Sequence, residues 1–586
     1  MSATKRARKR AILFFILILA GLITVGIRIA YLQFVQGPQL AAKAQDQLED
    51  HRPVQSLRGA IYDRNGCELA ISIVTKSLYA NPRQIALSKT IDPPALAALL
   101  APVLDMPVGE LTERLSGKGS FMWLKRTMDR DKAAAVEQII KTHKVRGLEF
   151  VEEGKRYYPN DVLAAHVLGF VGTDDIGLEG IESRVDRVIK GEKVKQVLET
   201  DGKGNPIFNS ILSYKPRQEG KSVHLTLDSK IQFIVEQSLD GVMARTKAKG
   251  ATAIVMNPRT GEILAMASRP VYNPNEFEKY GPAAHRNRAI SNIFEPGSTF
   301  KAITAAAALQ EKKAAPDEYF VDKGYIEVSG RNLKNWDGES RGTISFTEVI
   351  KNSINTCFIE VGLRIGGEKM TDYARNFGFG NVTDIELPGE EEGILFNPRN
   401  MRAVDVATMS IGQGVAVTPL QMVMAFGAIA NEGVLVKPHI IKEIQNSDGT
   451  VFSASPTTPV RQVIEPEIAR KLTVMLEKVI SEGGGSKGKI PGYRLAGKTG
   501  TAEKLKDSGG YEDGRYIASF VGFGPVEDPQ LVTLVVIDDP EGLYYGSLIA
   551  APVFQEIMAQ ALWHMNLKPD PGAIQPKEIR PQEPRP

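Results

Sequence analysis

The spacing of apolar positions changes several times along the chain, and the first pattern is a continuous apolar stretch near the N-terminus. It runs from Ala11 to Ile27, and apolar residues continue beyond Arg28 as far as Phe34. A stretch of this length can form a membrane-spanning helix. The basic residues at positions 5–10 are expected to stay in the cytoplasm. We therefore predict a cytoplasmic basic tail over residues 1–10 and an uncleaved anchor over residues 11–34.

A cleaved signal peptide is the alternative for this stretch. It would have a shorter apolar core followed by a small-x-small cleavage site, and the residues around Tyr31–Phe34 do not offer one. The sequence therefore favours a single-pass protein of the inner (plasma) membrane, with everything after the anchor on its extracytoplasmic, or periplasmic, side.

Residues 35–215 combine strand, turn and helix patterns without a chemical motif. Asn65-Gly66 between Ile61 and Leu69 is typical of a hairpin. Helical spacing of apolar residues follows over residues 86–145. Because no nucleophile–base pair or ligand cluster occurs in this region, we predict a non-catalytic, strand-rich pedestal domain.

The pattern changes again near Lys221, where a second domain is predicted. An alternating strand over 223–227 leads through Asp228-Ser229, a good pair for a helix N-cap, into an amphipathic helix. Two early strands, three late strands and intervening helices predict an α+β domain over 216–566, with one five-stranded antiparallel sheet covered by helices. The predicted strands cover 251–256, 262–267, 494–498, 516–523 and 531–537, and an apolar helix covers 551–565. The Pro-rich end, residues 567–586, is predicted to be disordered.

Composition narrows the possible functions. The formal net charge is only +3, too small to recruit nucleic acid through a long-range field. Cys67 and Cys357 lack a CxxC or Cys/His spacing and are read as unpaired small apolar residues, and the seven histidines are scattered. We therefore predict neither a metal site nor a cofactor.

Ser298 and Lys301 form the first candidate constellation. They are three positions apart, so a helix beginning after Pro296-Gly297 would place the hydroxyl and the amine on one face. A serine at a helix start lies near backbone N–H groups that stabilise an oxyanion, and a desolvated lysine can serve as its base. Taken alone, such a pair is usually a solvated helix start.

Two further segments supply complementary groups. Ser353-Ile354-Asn355 offers a hydroxyl and a carboxamide, although alone it reads as a polar helix terminus. Lys498-Thr499-Gly500-Thr501 is expected to end a short strand, with a glycine that lets a ligand approach the backbone. Alone, it could be an ordinary strand edge.

In the order SxxK, SxN, KTG, the three segments resemble the active-site motifs of penicillin-binding proteins and serine β-lactamases. The resemblance extends to the class B penicillin-binding proteins over nearly the whole chain. The segments that carry it are Arg58–Ala70, Arg156–Pro159, Gly177–Glu182, Phe294–Gly297, Gly412–Gly414, Thr418–Gln421 and Ala551–Phe554. Within that class, the short pedestal and the forms of the second and third segments are similar to the division-specific (FtsI-type) transpeptidases.

The resemblance implies an acyl transfer with a serine acyl-enzyme. It implies Ser298 as the nucleophile, Lys301 as its base, Ser353 as a proton relay, and Asn355 as a group that holds the substrate and orients Lys301. It further implies that Lys498, Thr499 and Thr501, with Gly500 beside them, bind the terminal carboxylate. The backbone N–H groups of Ser298 and Thr501 would form the oxyanion hole.

The implied partners are the D-Ala-D-Ala stem peptides of peptidoglycan, an acceptor amine, β-lactams, a SEDS-family glycosyltransferase of the FtsW type and other division proteins. Three alternatives stay open. The chain could be an elongation-specific transpeptidase, a β-lactam sensor or β-lactamase, or a catalytically silent scaffold of a wall-synthesis complex. The intact Ser/Lys/Ser/Asn/Lys set argues against the scaffold.

The charged residues of the pedestal motifs also allow two accounts. Arg58, Asp63, Arg64, Arg156 and Glu182 either form intramolecular salt bridges or help to dock the polymerase that makes the glycan strand. Surface ion pairs contribute only about 0–1 kcal/mol each, so stability alone is a weak reason for such a cluster.

Overall fold

The computed structural model describes residues 3–54, 57–88, 90–191, 194–200, 206–213, 219–506 and 510–569. The chain forms two compact units, Met1–Ser56 with Gly191–Glu219, and Leu57–Lys190 with Gly220–Pro586. Most of the predicted disordered end lies outside the described residues.

The regular elements are numbered in chain order. The α-helices are α1 Ala3–Ala30, α2 Gly37–Leu48, α3 Pro82–Ser88, α4 Pro93–Leu104, α5 Val108–Leu115, α6 Arg130–His143, α7 Ala165–Leu168, α8 Gly180–Arg184, α9 Asp186–Ile189, α10 Ser229–Thr246, α11 Pro282–His285, α12 Arg288–Ser291, α13 Lys301–Gln310, α14 Phe346–Asn352, α15 Asn355–Ile365, α16 Gly367–Asn376, α17 Ala403–Ser410, α18 Pro419–Ala430, α19 Pro466–Ser481 and α20 Gly546–His564. The strands are β1 Glu49–Val54, β2 Ile61–Tyr62, β3 Glu68–Ala80, β4 Met122–Met128, β5 Leu148–Tyr157, β6 Val194–Thr200, β7 Pro206–Ser213, β8 Ser222–Leu225, β9 Gly250–Met256, β10 Ile263–Arg269, β11 Tyr319–Asp322, β12 Tyr325–Val328, β13 Arg331–Lys334, β14 Gly342–Ser345, β15 Val434–Val436, β16 Ile441–Gln445, β17 Val451–Ala454, β18 Pro459–Gln462, β19 Ala496–Leu505, β20 Tyr511–Gly524 and β21 Leu531–Asp538.

The first unit contains the apolar helix and a small sheet. Helix α1 continues through a π-helical turn at Tyr31–Val35, and Thr4–Val35 is long and apolar enough to cross a membrane. Within the described residues, it is the one helix that meets this criterion of length and composition. Strands β1, β6 and β7 pair in that order as a three-stranded sheet.

In the second unit, one sheet joins the predicted pedestal to the predicted catalytic domain. Its strand order is β17-β16-β8-β2-β3-β4, with β5 also paired to β3. The contact between β2 and β8 is parallel, and β8 pairs with β16 on its other side. The predicted boundary between residues 215 and 216 stays a prediction, but the strands on its two sides are joined by backbone hydrogen bonds.

The pedestal part of this unit contains helices as well as strands. Helices α3 to α6 cover the sheet formed by β3, β4 and β5 with a separate apolar core, in which Leu78, Leu96, Leu100 and Val136 have no exposed surface. The helical spacing predicted over residues 86–145 is thus confirmed by α4 and α6, with β4 between them.

The pedestal motif residues pair with one another inside the protein. Arg58, 3% exposed, donates from Nε to Glu182 Oε2 at 2.7 Å and from Nη1 to Asp186 Oδ1 at 2.7 Å. Arg156 donates from Nε to the other oxygen of Glu182 at 2.5 Å. The salt-bridge account therefore applies to Arg58, Arg156 and Glu182, which are too buried to contact a partner directly.

Asp63 connects the predicted hairpin to the catalytic domain. Strands β2 and β3 form this hairpin, in which Asp63 Oδ1 accepts from the N–H groups of Asn65 and Cys67. Its other oxygen accepts from both the backbone N–H and the hydroxyl of Ser229, the first residue of α10. Asp228 is the N-cap of α10, as predicted, and accepts from two backbone N–H groups.

The catalytic domain is built on the predicted five-stranded antiparallel sheet, whose order is β10-β9-β21-β20-β19. All residues of β9 are buried, and alternate side chains face opposite layers. Ala253 and Val255 pack in the core that includes α10 and α20, whereas Ile254 and Met256 pack in the core that includes α13 and α18. Helices therefore cover both faces, and β19 is left as an edge strand.

Candidate active site

Ser298 lies in a short 3₁₀ turn, Gly297–Thr299, and α13 begins at Lys301. The sequence predicts the serine in the first turn of the α-helix, and the structure instead places it in the short turn that precedes α13. Gly297 has φ +52°, a left-handed conformation that delays the regular helix. From Lys301 to Leu309 every residue of α13 is buried, so the lysine starts a helix at the centre of the domain.

The Gly412–Gly414 segment packs against this turn and is hydrogen-bonded to it. Gly297 donates its N–H to the carbonyl of Gly412 at 3.0 Å, and Gly414 donates its N–H to the carboxylate of Glu295 at 2.7 Å. A Cβ on Gly412 would lie 2.1 Å from the carbonyl oxygen of Gly297. Only glycine permits this close approach, which gives a structural reason for the motif next to the serine.

Ser353 occupies a sharp turn between α14 and α15. Its φ of +58° is left-handed, and the residue forms the C-cap at which α14 ends. As a result, the carbonyl and hydroxyl of Ser353 and the amide oxygen of Asn355 converge on one point. Lys301 Nζ lies within hydrogen-bonding distance of these three oxygens, at 2.7, 3.1 and 2.6 Å, and as a neutral amine it can donate to two of them at a time.

The Lys498–Thr501 segment lies inside β19, which extends from Ala496 to Leu505. The expectation that it ends a short strand was wrong, because pairing with β20 continues through Glu503 and, beyond a register shift, Leu505. Lys498 is fully buried and donates from Nζ to Ser353 Oγ at 3.0 Å. Ser353 Oγ therefore lies between the two lysine amines.

Gly500 lets β19 lie directly against the serine turn. A Cβ on Gly500 would lie 2.3 Å from Ser519 Oγ and 2.9 Å from Cγ2 of Thr299. Thr499 and Thr501 are partly exposed, and their side chains leave the strand on one face. The Thr501 hydroxyl accepts the N–H of Gly546 at 3.1 Å, which leaves its own proton available to donate.

Both lysines are buried without a carboxylate. Within the described residues neither forms a salt bridge, and both are 0% exposed. Burial, together with the positive charge of Lys498, holds the pKa of Lys301 well below its usual range. Burial lowers the pKa of Lys498 to about 7. A lysine in this environment can be a neutral amine near neutral pH and therefore a base.

The exposure and hydrogen bonding of Ser298 are consistent with a role as a nucleophile. Its side chain is partly exposed, and within the described part of the chain its hydroxyl has no hydrogen-bond partner, Lys301 included. Hydrogen bonds of catalytic groups are often long without a substrate and tighten when one binds. The structure thus brings the Lys301, Ser353, Asn355 and Lys498 side chains into one hydrogen-bonded group beside an accessible serine turn.

Sequence reasoning missed a second set of residues behind this group. Asp322 and Asn335, both buried, bind the first residues of α15, and the carbonyl of Lys334 accepts from the Asn355 amide. Asp322 ends β11, which pairs with β14, and Asn335 directly follows β13, which pairs with β12. Neither segment carries a chemical motif in the sequence. Cys357, which the sequence analysis reads as an unpaired apolar residue, is free and buried, and it lies near Lys301.

Exposed aromatic side chains lie next in sequence to residues of the site. Trp336 follows Asn335 and is 65% exposed, and its ring centroid lies 6.0 Å from that of Tyr545, the residue before Gly546. Tyr544 stacks on Tyr516 with centroids 3.9 Å apart. These rings offer apolar contact surface beside the polar centre.

Comparison with known families and structures identifies this arrangement. Residues 251–559, more than half of the chain, match the penicillin binding protein transpeptidase domain, and residues 53–225 match the penicillin-binding protein dimerisation domain. The chain is 38% identical over 578 residues to stage V sporulation protein D of Bacillus subtilis, covering 97% of this chain and 88% of the relative. It is 32% identical over 547 residues to peptidoglycan D,D-transpeptidase FtsI of Escherichia coli, covering 93% and 90%.

Solved structures agree with this result. Penicillin binding protein 3 from Mycobacterium tuberculosis is 27% identical, with a TM-score of 0.68 over 90% of this chain and 99% of the other. Complexes of that protein with aztreonam and with ampicillin superpose at TM-scores of 0.68 and 0.69, each at 26% identity and over 90% of this chain and 99% and 98% of the other. Taken with the buried lysine pair and the serine turn, these similarities show that the chain belongs to the class B penicillin-binding proteins and is a serine-type peptidoglycan D,D-transpeptidase.

Proposed function

We propose that Ser298 is the acylated nucleophile and that Lys301 is its base. The observation that carries this assignment is the buried Lys301 amine, which has neutral hydrogen-bond partners and a pKa well below the usual lysine range. Ser298 Oγ attacks the carbonyl carbon between the last two D-alanines of a stem peptide, and its proton passes to Lys301.

Ser353 then donates a proton to the leaving group. Its Oγ accepts hydrogen bonds from both lysines, so its own proton is left to point into the site. Collapse of the tetrahedral intermediate breaks the C–N bond, and the departing D-alanine nitrogen takes the proton of Ser353, which Lys301 replaces. An acyl-enzyme ester on Ser298 remains. An acceptor amine attacks this ester, loses a proton through the same route, and leaves a new amide bond and a free Ser298 hydroxyl.

The strand β19 binds the donor. The positive charge of Lys498 and the hydroxyls of Thr499 and Thr501 attract the terminal carboxylate. The backbone N–H groups of Ser298 and Thr501 stabilise the oxyanion, which is supported by the close packing of Gly500 against the serine turn. Because β19 is an edge strand, alternate N–H groups along it face away from β20 and are available for the donor.

Replacing Ser298 with alanine tests the assignment. Ser298→Ala should lose covalent labelling by a fluorescent penicillin completely while keeping the parental melting temperature, because in the described part of the chain the Ser298 hydroxyl has no hydrogen-bond partner to lose. Ser486→Ala, in the surface 3₁₀ turn Ser486–Gly488, is the matched control and should label normally. Labelling that persists in Ser298→Ala would assign the nucleophile to another residue.

For the cellular role, we propose cross-linking of septal wall during division, on the strength of the motif forms at Arg156–Pro159 and Gly177–Glu182. The 38% identity to stage V sporulation protein D favours a second candidate, a role in spore formation. Depleting the protein from growing cells separates them. A block of septation supports the division role, whereas normal division with defective spores supports the sporulation role. Normal septation with loss of rod shape indicates elongation.

We further propose that the helix Thr4–Val35 anchors the chain with both domains outside the cytoplasm. Cys67 is exposed and Cys357 is buried, so Cys67 reports the position of the pedestal without any added residue. A membrane-impermeant maleimide should label intact spheroplasts, and Cys67→Ser should abolish that labelling. Labelling that requires cell lysis would place the domains inside.

The proposed polymerase partner, a SEDS-family glycosyltransferase of the FtsW type, would meet this protein through the anchor helix and the pedestal. A version without residues 1–34 should still react with penicillin but fail to copurify with the polymerase and to support division. Copurification that is unchanged without the anchor would restrict the contact to the pedestal.

A further inference from the structure

Helix α15 begins without a capping side chain of its own. Its N-cap residue, Ile354, has no polar side chain, and the first N–H groups of a helix need an acceptor. Asn335, which follows strand β13, supplies one from elsewhere in the chain. Its Oδ1 accepts from the backbone N–H of Asn355 at 3.1 Å and of Thr356 at 3.2 Å.

Asn335 is itself held by a buried carboxylate. Its Nδ2 lies 3.0 Å from both oxygens of Asp322, which is 1% exposed. Asp322 also accepts from the N–H groups of Gly324 and Arg341 and from the hydroxyl of Thr356 at 2.7 Å. Although burial opposes the charged form, these hydrogen bonds outweigh it and lower the pKa of Asp322, so the carboxylate stays ionised.

The hairpin formed by β12 and β13 also fixes the orientation of the Asn355 side-chain amide. Asn355 Nδ2 donates to the backbone carbonyl of Lys334 at 3.0 Å, and its Oδ1 accepts from Lys301 Nζ at 2.6 Å. A carboxamide turned by 180° would present two N–H donors to the lysine amine instead of an acceptor. The position of β13 relative to α15 therefore sets whether Lys301 meets an oxygen or a nitrogen.

We propose that Asp322 and Asn335 are positioning residues for acylation, which fix the start of α15 against β13 and so keep the Asn355 oxygen on Lys301. The proposal rests on the function proposed above for Lys301. In the described part of the chain neither residue forms a hydrogen bond with Ser298 or Lys301, and their effect passes through Asn355 and Thr356. A network that merely stabilised the hairpins would contribute to folding and leave the chemistry of correctly folded molecules unchanged.

The test separates those two outcomes in the full-length protein in detergent. Penicillin acylation is resolved into the dissociation constant of the first complex and the acylation rate constant, and the reactive fraction is titrated. Asn335→Ala should lower the rate constant about tenfold to a hundredfold with a similar dissociation constant, since a misplacement of about 1 Å can cost that much. Asn332→Ala, at an exposed position of β13, is the matched control and should match the parent.

Thr356 gives a milder pair of variants in case Asn335→Ala does not fold. Thr356→Val removes the hydroxyl bond to Asp322 and should slow acylation, whereas Thr356→Ser keeps the bond and should restore the rate. Both Thr356→Val and Asn335→Ala should also move the acidic limb of the acylation profile to lower pH, because a lysine that loses the Asn355 acceptor holds its proton less tightly. Lys498 and Cys357 are the other titratable groups that act on Lys301. Asn335→Ala leaves both of them unchanged, whereas Thr356→Val also removes the hydroxyl that donates to Cys357 Sγ, so the pH profile of Asn335→Ala decides this point.

Two results would overturn the inference. One is a reduced reactive fraction with a parental rate constant and pH profile in Asn335→Ala, which is the signature of a folding role alone. The other is equal acylation rates for Thr356→Val and Thr356→Ser. If the parent protein itself fails to be acylated at Ser298, the proposed function fails instead, and the two failures are therefore distinguishable.

Discussion

The active site and the pedestal each bury two basic side chains, but the partners of these side chains differ. In the pedestal, Arg58 and Arg156 share the two oxygens of one buried carboxylate, Glu182. In the active site, Lys301 and Lys498 share the hydroxyl of Ser353 and have no carboxylate partner in the described part of the chain.

The difference in partners determines what each cluster can do. Burial alone would act against the charge of Arg58, but Glu182 and Asp186 outweigh it and raise its pKa, so the guanidinium stays charged at every accessible pH. Burial and mutual repulsion instead weaken proton binding at Lys301. A paired buried cation is a structural element, whereas an unpaired one can exchange its proton and take part in chemistry.

The largest expected effect comes from removing the unpaired cation. Lys301→Met should lower the penicillin acylation rate constant by about 10²–10⁴-fold, the usual contribution of a general base. Its melting temperature should change little, because the loss of the hydrogen bonds to Ser353 and Asn355 is offset by the removal of a buried amine that has no carboxylate partner in the described part of the chain. Lys351→Met, at a more exposed lysine on α14, is the control and should keep the parental rate. A normal rate in Lys301→Met would show that another group is the base.

Removing a paired cation should lower the free energy of unfolding and leave the acylation rate unchanged. Arg58→Met leaves Glu182 and Asp186 with less positive charge, and breaking a buried pair costs about 3–5 kcal/mol of the free energy of unfolding. Urea unfolding measures this loss, and acylation of the folded fraction should be parental. Arg114→Met removes an exposed pair with Glu110 in the same region and should cost far less. A similar loss in both variants would contradict the comparison.

The pH dependence of stability gives a smaller but directional effect. Because the pKa of Lys498 falls from 10.5 to about 7 on folding, the unfolded chain binds more protons between these values, and this group's contribution to stability rises with pH across that window. Lys498→Met lacks this contribution to the pH dependence of stability. It should melt a few degrees higher than the parent near pH 6, with the gap narrowing toward pH 10. A gap that is constant with pH would mean that Lys498 keeps its ordinary proton affinity in the fold.

The smallest effect is expected at a partly exposed pair between the pedestal and the catalytic domain. Arg64 lies 3.4 Å from Glu262, and both side chains are partly accessible. Arg64→Ala should therefore cost no more than about 1 kcal/mol and leave acylation unchanged. The activity of the proposed partner polymerase is then measured in a complex with the variant. If this activity falls while stability and acylation stay as expected, Arg64 contributes to docking, whereas Arg58 is too buried to do so.

Several features followed from local sequence and were confirmed. The alternating and continuous apolar runs located four strands of the catalytic sheet, because side-chain period and length are local properties, whereas the fifth, β19, continues to Leu505 and does not end at Lys498 as predicted. The capping preference of Asp228 marked the start of α10 for the same reason. The order of the SxxK, SxN and KTG segments was sufficient to indicate the family and an acyl transfer at a serine.

The environment of those residues was decided only by the tertiary structure. Lys498 and Ser353 are 145 positions apart, and nothing near either residue indicates that they meet, or that the lysines lack a carboxylate. The left-handed turn at Ser353, the support of Asn355 by Asp322 and Asn335, and the sheet shared by β2 and β8 also depend on contacts between distant segments. Sequence determined which groups the protein carries, because motifs and periodicity are local. Their proton affinities and orientations were set by burial and by long-range hydrogen bonds, which exist only after the chain has folded.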